Sequence, residues 1–468
     1  MSLTNIIYTI NFLLILWFVF YQNKNYRISL KWLLLFLLIP LFSFVLYFFL
    51  GKGISINKKK YFQVKERVNR LFKEDNLKLK VNDQELDKQV KLNVKLDGYN
   101  LTYYNKIDYL CSGEQFYSTL FFDISKAKSS IHIQMYIIRD DKLKDELMEL
   151  LLNKAKDGVK IKILYEKIGN FKNKKNFLSK YKHENIKIVK FNPFVYALRN
   201  VNYRNHKKIV IIDGRIGYIG GFNIGEEYLS LNPRLSPFRD SVIRVYGESV
   251  CQLQKAFLID FYYASSLFRP FFSIDVNKQD VTCHYVNNHC PMQLMTSSFE
   301  IRENIKRSKL NLLHLAKEEV YIQSPYFILD PLVSEEIKLL LLKGVKVKIM
   351  IPLKYDQLIP YSVSLWTLRE LYSLGATIYL YNGFIHAKSL IIDEFALVIG
   401  SSNFDIRSNS LNLESDMFIY SKEEIEEYKK IFNKDIKDSL EYSIQLEESL
   451  YKYLKFGKRF FRLLSSIL

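Results

Sequence analysis

"NHKKIVIIDGRIGYIGGFN" runs from Asn205 to Asn223, and "IHAKSLIIDEFALVIGSSN" runs from Ile385 to Asn403. His206, Lys208, Asp213, Gly220 and Asn223 in the first stretch are matched by His386, Lys388, Asp393, Gly400 and Asn403 in the second, each 180 residues later. A single histidine beside an apolar strand reads as a satisfied core residue. Five polar or glycine positions recurring at one offset do not. The repeat therefore decides the fold: two copies of one unit, each ending on a histidine segment.

Residues two apart on a strand share a face, so His206 and Lys208 project together, as do His386 and Lys388. The apolar "IVII" and "SLII" continue each segment into buried sheet. Asp213 with Gly214 reads as a hairpin turn, and the returning strand brings Gly220, Gly221 and Asn223 beside the first histidine. Asp393, Gly400, Ser401 and Asn403 take those places in the second copy.

Upstream of each motif, helix and strand alternate in one order. "FYSTLFFDISKAKSS", "IHIQMYII", "DKLKDELMELLLNKAKDG" and "VKIKILY" read as helix, strand, helix and strand. "ENIKRSKLNLLHLAKE", "VYIQSPYF", "DPLVSEEIKLLLLKG" and "VKVKIMIP" repeat that order. The predicted class is α/β, with repeats over 106–265 and 279–440 packed as a pseudo-two-fold pair and a junction near 265–278. Residues 51–105 read as a Lys-rich linker. Residues 441–468 read as a basic amphipathic helix, suited equally to anionic lipid or to packing on the core.

The N-terminus carries two apolar runs, Ile6–Tyr21 and Trp32–Leu50, the second of which would reach roughly 28 Å as one helix. They predict a transmembrane hairpin over 1–50. More Lys and Arg follow the second run than lie between the two, which predicts a multi-pass protein of the cell membrane with its bulk in the cytoplasm.

The length of 468 residues, 49% hydrophobic, allows two domains, and the 34 Phe and 33 Tyr exclude a disordered chain. A net charge of +19 favours anionic partners without choosing among nucleic acid, membrane surface and phosphorylated molecules. Four scattered cysteines do not make a disulfide framework and point to a reducing compartment. "CHYVNNHC" at 283–290 has four potential zinc ligands, but its spacing fits no common zinc module, and no metal is expected.

The repeated residues suit phosphoryl chemistry. A neutral imidazole can attack phosphorus or carry a proton, while lysine and asparagine can hold phosphate oxygens and a carboxylate can fix the imidazole tautomer. A two-step displacement needs a nucleophile on one side and an acid on the other, and two facing copies supply both.

His-x-Lys, four residues, Asp, then Gly-Gly or Gly-Ser and Asn resembles the signature of the phospholipase D superfamily, present here twice. Over nearly its whole length the chain is similar to the bacterial cardiolipin synthases within it. Pro40, Tyr47 and Gly51, "FRDSVIRVYG" around Asp240, "SPYFILD" at 324–330 and "NFDIRSNSLNLES" carry that likeness. The resemblance implies transfer of a phosphatidyl group from one phosphatidylglycerol to another at the membrane, without metal or cofactor, giving cardiolipin and glycerol. It implies His206 as nucleophile and His386 as acid and then base. Lys208, Lys388, Asn223 and Asn403 would hold phosphate oxygens, with Gly220, Gly221, Gly400 and Ser401 around them. Asp213 and Asp393 would organise the histidines, and Glu414 in "LNLES" would support the site. Hydrolysis of phospholipid, or of nucleic acid, fits the same motifs, and the near symmetry of the copies leaves the nucleophile open; the apolar N-terminus favours lipid, with no nucleic acid expected. The oligomeric state has no signature in the sequence.

Overall fold

The computed structural model describes residues 3–21, 26–40, 42–47, 58–72, 83–174, 177–191, 204–268, 284, 286–297, 301 and 303–451. They fall into two compact units, Met1–Lys58 with Asn192–Arg204, and Lys59–Phe191 with Asn205–Leu468.

The larger unit is organised by one sheet that carries both repeats. At its middle, Thr102–Ser112 pairs antiparallel with His289–Thr296. Outward on the first side come Phe238–Gly247, Ile216–Gly220, Ile209–Ile212, Ser130–Met135, Lys160–Glu166 and Ile186–Phe191. Outward on the other come Ser415–Ile419, Ala396–Gly400, Ser389–Ile392, Glu319–Gln323, Lys346–Pro352 and Thr377–Tyr381, with Ser439–Glu441 added at the edge. The same succession of strands is met in both directions, so the two halves are related by a pseudo-two-fold axis through the central pair.

Local signals explain the elements. Ser112 accepts from Gln115 N to start the helix Gly113–Lys126, and Asp141 accepts from Lys144 N to start Lys142–Lys156. Asp330 does the same for Pro331–Leu342, where proline occupies the first turn without losing a bond. Ile209–Ile212 and Ser389–Ile392 are buried along their whole length, which is why they read as near-continuous apolar runs; Ser130–Met135 is buried as well, although Ser130, His132 and Gln134 alternate with its apolar residues. Leu120, Leu147, Ile131 and Ile163 lie in the core of the first half, and Leu312, Ile337, Ile322 and Ile349 in that of the second. Each such side chain contributes about 1.5–3 kcal/mol.

The linker expected over 51–105 is partly a built element. Lys58–Asn69 is helical, and Gln84–Lys95 is a helix capped by Asp83, which accepts from Glu85 N and Leu86 N. The buried face of the second helix carries amides: Gln89 donates to Ser308 Oγ at 3.0 Å and Asn93 donates to Gln293 Oε1 at 2.8 Å. A polar buried face has no apolar periodicity, so the sequence pattern could not reveal it. The junction near 265–278 and the helix expected over 441–468 lie mostly outside the described residues, although Glu248–Phe268 and Ile444–Leu450 are helical at their edges.

The smaller unit contains the helices Leu3–Tyr21, Tyr26–Leu38 and Phe42–Leu46. Among the described residues no helix is long and apolar enough to cross a membrane, so the transmembrane hairpin over 1–50 is not supported. Pro40 supplies the physical reason in the second run. It has no N–H and its ring clashes with the preceding turn, so the run breaks at 39–40 into helices of 13 and 5 residues. Phe18, Phe36 and Tyr47 form a small aromatic core, while Phe12, Phe20 and Leu38 are exposed. Among the described cysteines, Cys251 is disulfide-bonded, whereas Cys111 and Cys290 are free.

Candidate active site

The two motifs fold as the hairpins their sequences predict. Ile212 pairs with Ile216 and Ile392 with Ala396, and the turns place Asp213, Gly214 and Asp393 at φ of 54°, 64° and 49°. These turns sit at the far end of the hairpin from the histidines. The Asp213 carboxylate accepts from the backbone N–H groups of Lys128, Ser129 and Ser130 at 2.7–2.9 Å, and Asp393 accepts from Lys317, Glu318 and Glu319 at 2.7–2.9 Å. They clamp the hairpin to the start of the neighbouring strand. The expectation that they organise the histidines is therefore corrected.

The histidines are organised by carboxylates from the opposite repeat. His206 Nδ1 lies 2.9 Å from Glu414 Oε2, and His386 Nδ1 lies 2.6 Å from Asp240 Oδ2. The main chain crosses in the same way: His206 N donates to Leu413 O at 2.8 Å and His386 N donates to Arg239 O at 2.6 Å. Both carboxylates are fully buried. Asp240 also accepts from Ser241 N at 2.7 Å, and Glu414 from Ser401 Oγ at 2.6 Å. An ionised carboxylate can only accept, so each Nδ1 carries the proton and each Nε2 keeps a lone pair free for attack or proton transfer.

Burial and neighbouring charge set the protonation of the site. Burial lowers the His206 pKa against the pull of Glu414, and burial with Lys388 lowers that of His386 to about 4 against the pull of Asp240. Burial would raise both carboxyls, but Lys388 and His386 hold Asp240 low, and His206 and Lys208 hold Glu414 low. Lys208 and Lys388 are buried, and burial brings them down to about 7 and about 8. Lys208 Nζ donates to His206 O at 2.7 Å, and Lys388 Nζ lies 2.8 Å from His386 Nδ1. The site thus holds two neutral imidazoles and two lysines brought close to neutrality, whose charge an arriving phosphate would restore.

The remaining expected residues divide. Gly221 N donates to Ser241 O and Gly400 N to Lys388 O, so these backbone groups are committed within the protein rather than to a ligand. Their small size has another use: a Cβ on Gly221 would lie 2.0 Å from Asp240 Oδ1, and one on Gly220 would lie 2.2 Å from Ser241 O. Ser401, in the place of Gly221, instead bonds the longer Glu414. Asn223 is committed at both ends, accepting from Ile137 N at 3.1 Å and donating to Tyr228 Oη at 2.8 Å. Asn403 donates to Asp405 Oδ2 at 2.9 Å, and its Oδ1 is buried without a protein partner.

The family described as "Cardiolipin synthase, PLD-like domain" matches residues 120–255 and again 310–436. A cardiolipin synthase of Listeria monocytogenes serotype 4b is 34% identical over 464 residues, covering 96% of this chain and 95% of that protein. The chain belongs to the cardiolipin synthase family. The major cardiolipin synthase of Bacillus subtilis is likewise 34% identical, over 100% of this chain and 99% of its own. Among solved structures, the phosphatidylserine synthase of Haemophilus influenzae shares the fold, with a TM-score of 0.60 at 15% identity, covering 81% of this chain and 100% of its own.

Within this cardiolipin synthase-family chain, Asp240 is the residue that sequence reasoning left without a role. Its equivalence to Glu414 is visible in the register, where Gly220 pairs with Val242 and Gly400 with Asp416, placing each carboxylate two residues before the partner of its glycine. In the sequence the two are 174 residues apart rather than 180, so the fixed offset that exposes the five motif pairs passes over this one.

Proposed function

We propose that this protein is a membrane-associated phosphatidyltransferase that condenses two phosphatidylglycerol molecules into cardiolipin and glycerol. The observation that carries this reading is the pair of crossed histidine–carboxylate contacts, each beside a buried lysine. An anionic phosphate entering beside His386 favours uptake of a proton at its Nε2; His206 Nε2 then attacks phosphorus, the P–O bond to the first headgroup breaks, and His386 passes that proton to the departing glycerol. His386 then takes the proton of an incoming lipid hydroxyl, whose oxygen forms the new P–O bond as the P–N bond to His206 breaks. Lys208 and Lys388 stabilise the charge on the non-bridging oxygens during both steps.

The exposed apolar side chains of the N-terminal helices support a membrane location. Phe12 is 60% exposed, Phe20 75% and Leu38 77%, a surface that bilayer contact would cover. In this reading the helices hold the site beside its lipid substrate, with the larger unit in the cytoplasm. Partition of the full chain onto vesicles should fall when Phe12 and Phe20 are both replaced by Asp.

The test of the reaction is incubation of purified protein with phosphatidylglycerol in mixed micelles, with products identified by mass spectrometry. Cardiolipin and glycerol in equal amounts are expected. Phosphatidic acid as the sole product would replace transfer by hydrolysis, and full activity in His206→Ala or His386→Ala would overturn the mechanism.

A further inference from the structure

The two histidine–carboxylate pairs differ in what stands behind them. In the first pair the histidine is braced. Asn205 and Lys207 flank His206, and both reach one buried carboxylate on the helix Glu248–Phe268. Asp260 Oδ2 accepts from Asn205 Nδ2 at 3.1 Å and from Lys207 Nζ at 2.9 Å, and Gln134 Nε2 donates to the same oxygen at 2.8 Å. The residues that flank His386 are Ile385 and Ala387, both buried and apolar.

In the second pair the carboxylate is braced. Asp240 stands between Arg239 and Ser241. The Arg239 guanidinium forks onto Asp435 of the helix Lys422–Lys437, Nε donating to Oδ1 at 3.1 Å and Nη2 to Oδ2 at 2.9 Å. Arg239 Nη1 donates to the carbonyl oxygen of Asp240 and, at 2.8 Å, to Ser241 Oγ. Ser241 Oγ lies 2.6 Å from Tyr428 Oη, which donates to Gln323 Oε1 at 3.0 Å, and Gln323 Nε2 donates to Asp435 Oδ2 at 2.9 Å. The bonds close a ring whose members are all buried. Beside Glu414, by contrast, Leu413 is apolar and Ser415 Oγ is buried without a partner.

Asp260 and Asp435 are counterparts in the two repeats. Gln134 and Gln323, which bond them, each lie four residues beyond the N–H of Ser130 or Glu319 that Asp213 or Asp393 accepts. Equivalent acids thus brace unlike targets, a histidine in one pair and the partner of a histidine in the other.

We infer that Asp435, through Arg239, is the positioning residue for Asp240, and so for proton transfer by His386, whereas Asp260 holds the segment of His206. This rests on the proposed phosphatidyl transfer and deepens it by giving its two histidines unequal supports. A carboxylate held on both flanks keeps the imidazole in the orientation and tautomer that proton transfer needs.

Leaving-group dependence tests this, because p-nitrophenolate departs without a proton and glycerol needs one. Enzyme in excess is mixed with phosphatidyl-p-nitrophenol or with phosphatidylglycerol in mixed micelles, and single-turnover release of p-nitrophenolate or glycerol is timed. The ratio of the two rates does not depend on how much protein is folded, and a merely structural defect slows both alike. Asp435→Asn should raise the ratio of p-nitrophenolate to glycerol release by about tenfold, the scale of one charge-assisted hydrogen bond. Arg239→Lys, which keeps the charge and loses the fork, should move it the same way. Asp260→Asn should slow both releases and leave the ratio within about twofold of the parent value. An unchanged ratio in both Asp435→Asn and Arg239→Lys, or an equal rise in Asp260→Asn, would overturn the positioning role alone. A parent protein that releases neither group would overturn the histidine displacement, and the inference with it.

Discussion

Replacing Asp240 by Asn tests the crossed contacts most directly, because it changes one charge and almost no volume. Asp240 is fully buried, accepts from His386 Nδ1 at 2.6 Å and from Ser241 N at 2.7 Å, and stands 4.0 Å from Lys388 Nζ. Asparagine can keep the Ser241 bond through its carbonyl oxygen, but it then turns an NH₂ group toward His386. Two donors cannot share one bond, so Nδ1 must become an acceptor and the ring proton moves to Nε2. Lys388 Nζ, 2.8 Å from Nδ1, is placed to hold this inverted tautomer. His386 can then no longer collect a proton at Nε2. The charge-assisted bond is worth about 1.5–3 kcal/mol, which corresponds to a loss of roughly 10- to 150-fold in kcat, and the tautomer change adds to it. Initial rates of cardiolipin formation at saturating phosphatidylglycerol measure the loss, with thermal unfolding to show that the variant is folded. A folded variant with kcat within about threefold of the parent, less than 1 kcal/mol, would refute the assignment of Asp240 as the orienting group.

Three further outcomes follow from the same geometry. Asp213→Ala removes three backbone bonds to a carboxylate and puts alanine at a φ of 54°, so stability should fall by about 3 kcal/mol in denaturant titration, while kcat per folded molecule stays within a few-fold. Gly221→Ala would place a Cβ 2.0 Å from Asp240 Oδ1, and the displaced carboxylate should cost activity on the scale of Asp240→Asn, read in the same rate assay. Lys208 and Lys388 titrate near about 7 and about 8 in place of the usual 10.5, so binding of dimethyl phosphate, whose charge is constant, should weaken by at least about tenfold between roughly pH 6.5 and pH 9 in calorimetry. The sign for folding is opposite. Between these values and 10.5 the unfolded chain binds more protons than the folded one, so the two lysines make the ligand-free protein gain stability as pH rises through that window and lose it as pH falls.

The sequence determined the parts that local chemistry and repetition can carry. Alternating helix and strand, apolar runs such as "IVII" and "SLII", and turns at Asp213 and Asp393 are dictated by nearest neighbours along the chain, so they are legible in one dimension. The two histidines and two lysines were legible because they recur at a single offset. Gln84–Lys95 was not, because its buried face is polar and matches a hydroxyl and an amide, Ser308 and Gln293, that arrive from the second repeat. Nor was the break at Pro40, which the apolar residues on both sides of it mask. The identity of each histidine's partner was decided only by tertiary structure. Asp213 is seven residues from His206 and bonds the backbone at 128–130, whereas Glu414 is 208 residues away and bonds the ring. Strand pairing sends the end of each hairpin across the pseudo-two-fold axis, so a histidine's nearest carboxylate in space belongs to the other copy. A linear sequence records which residues repeat, while the sheet register decides which of them meet.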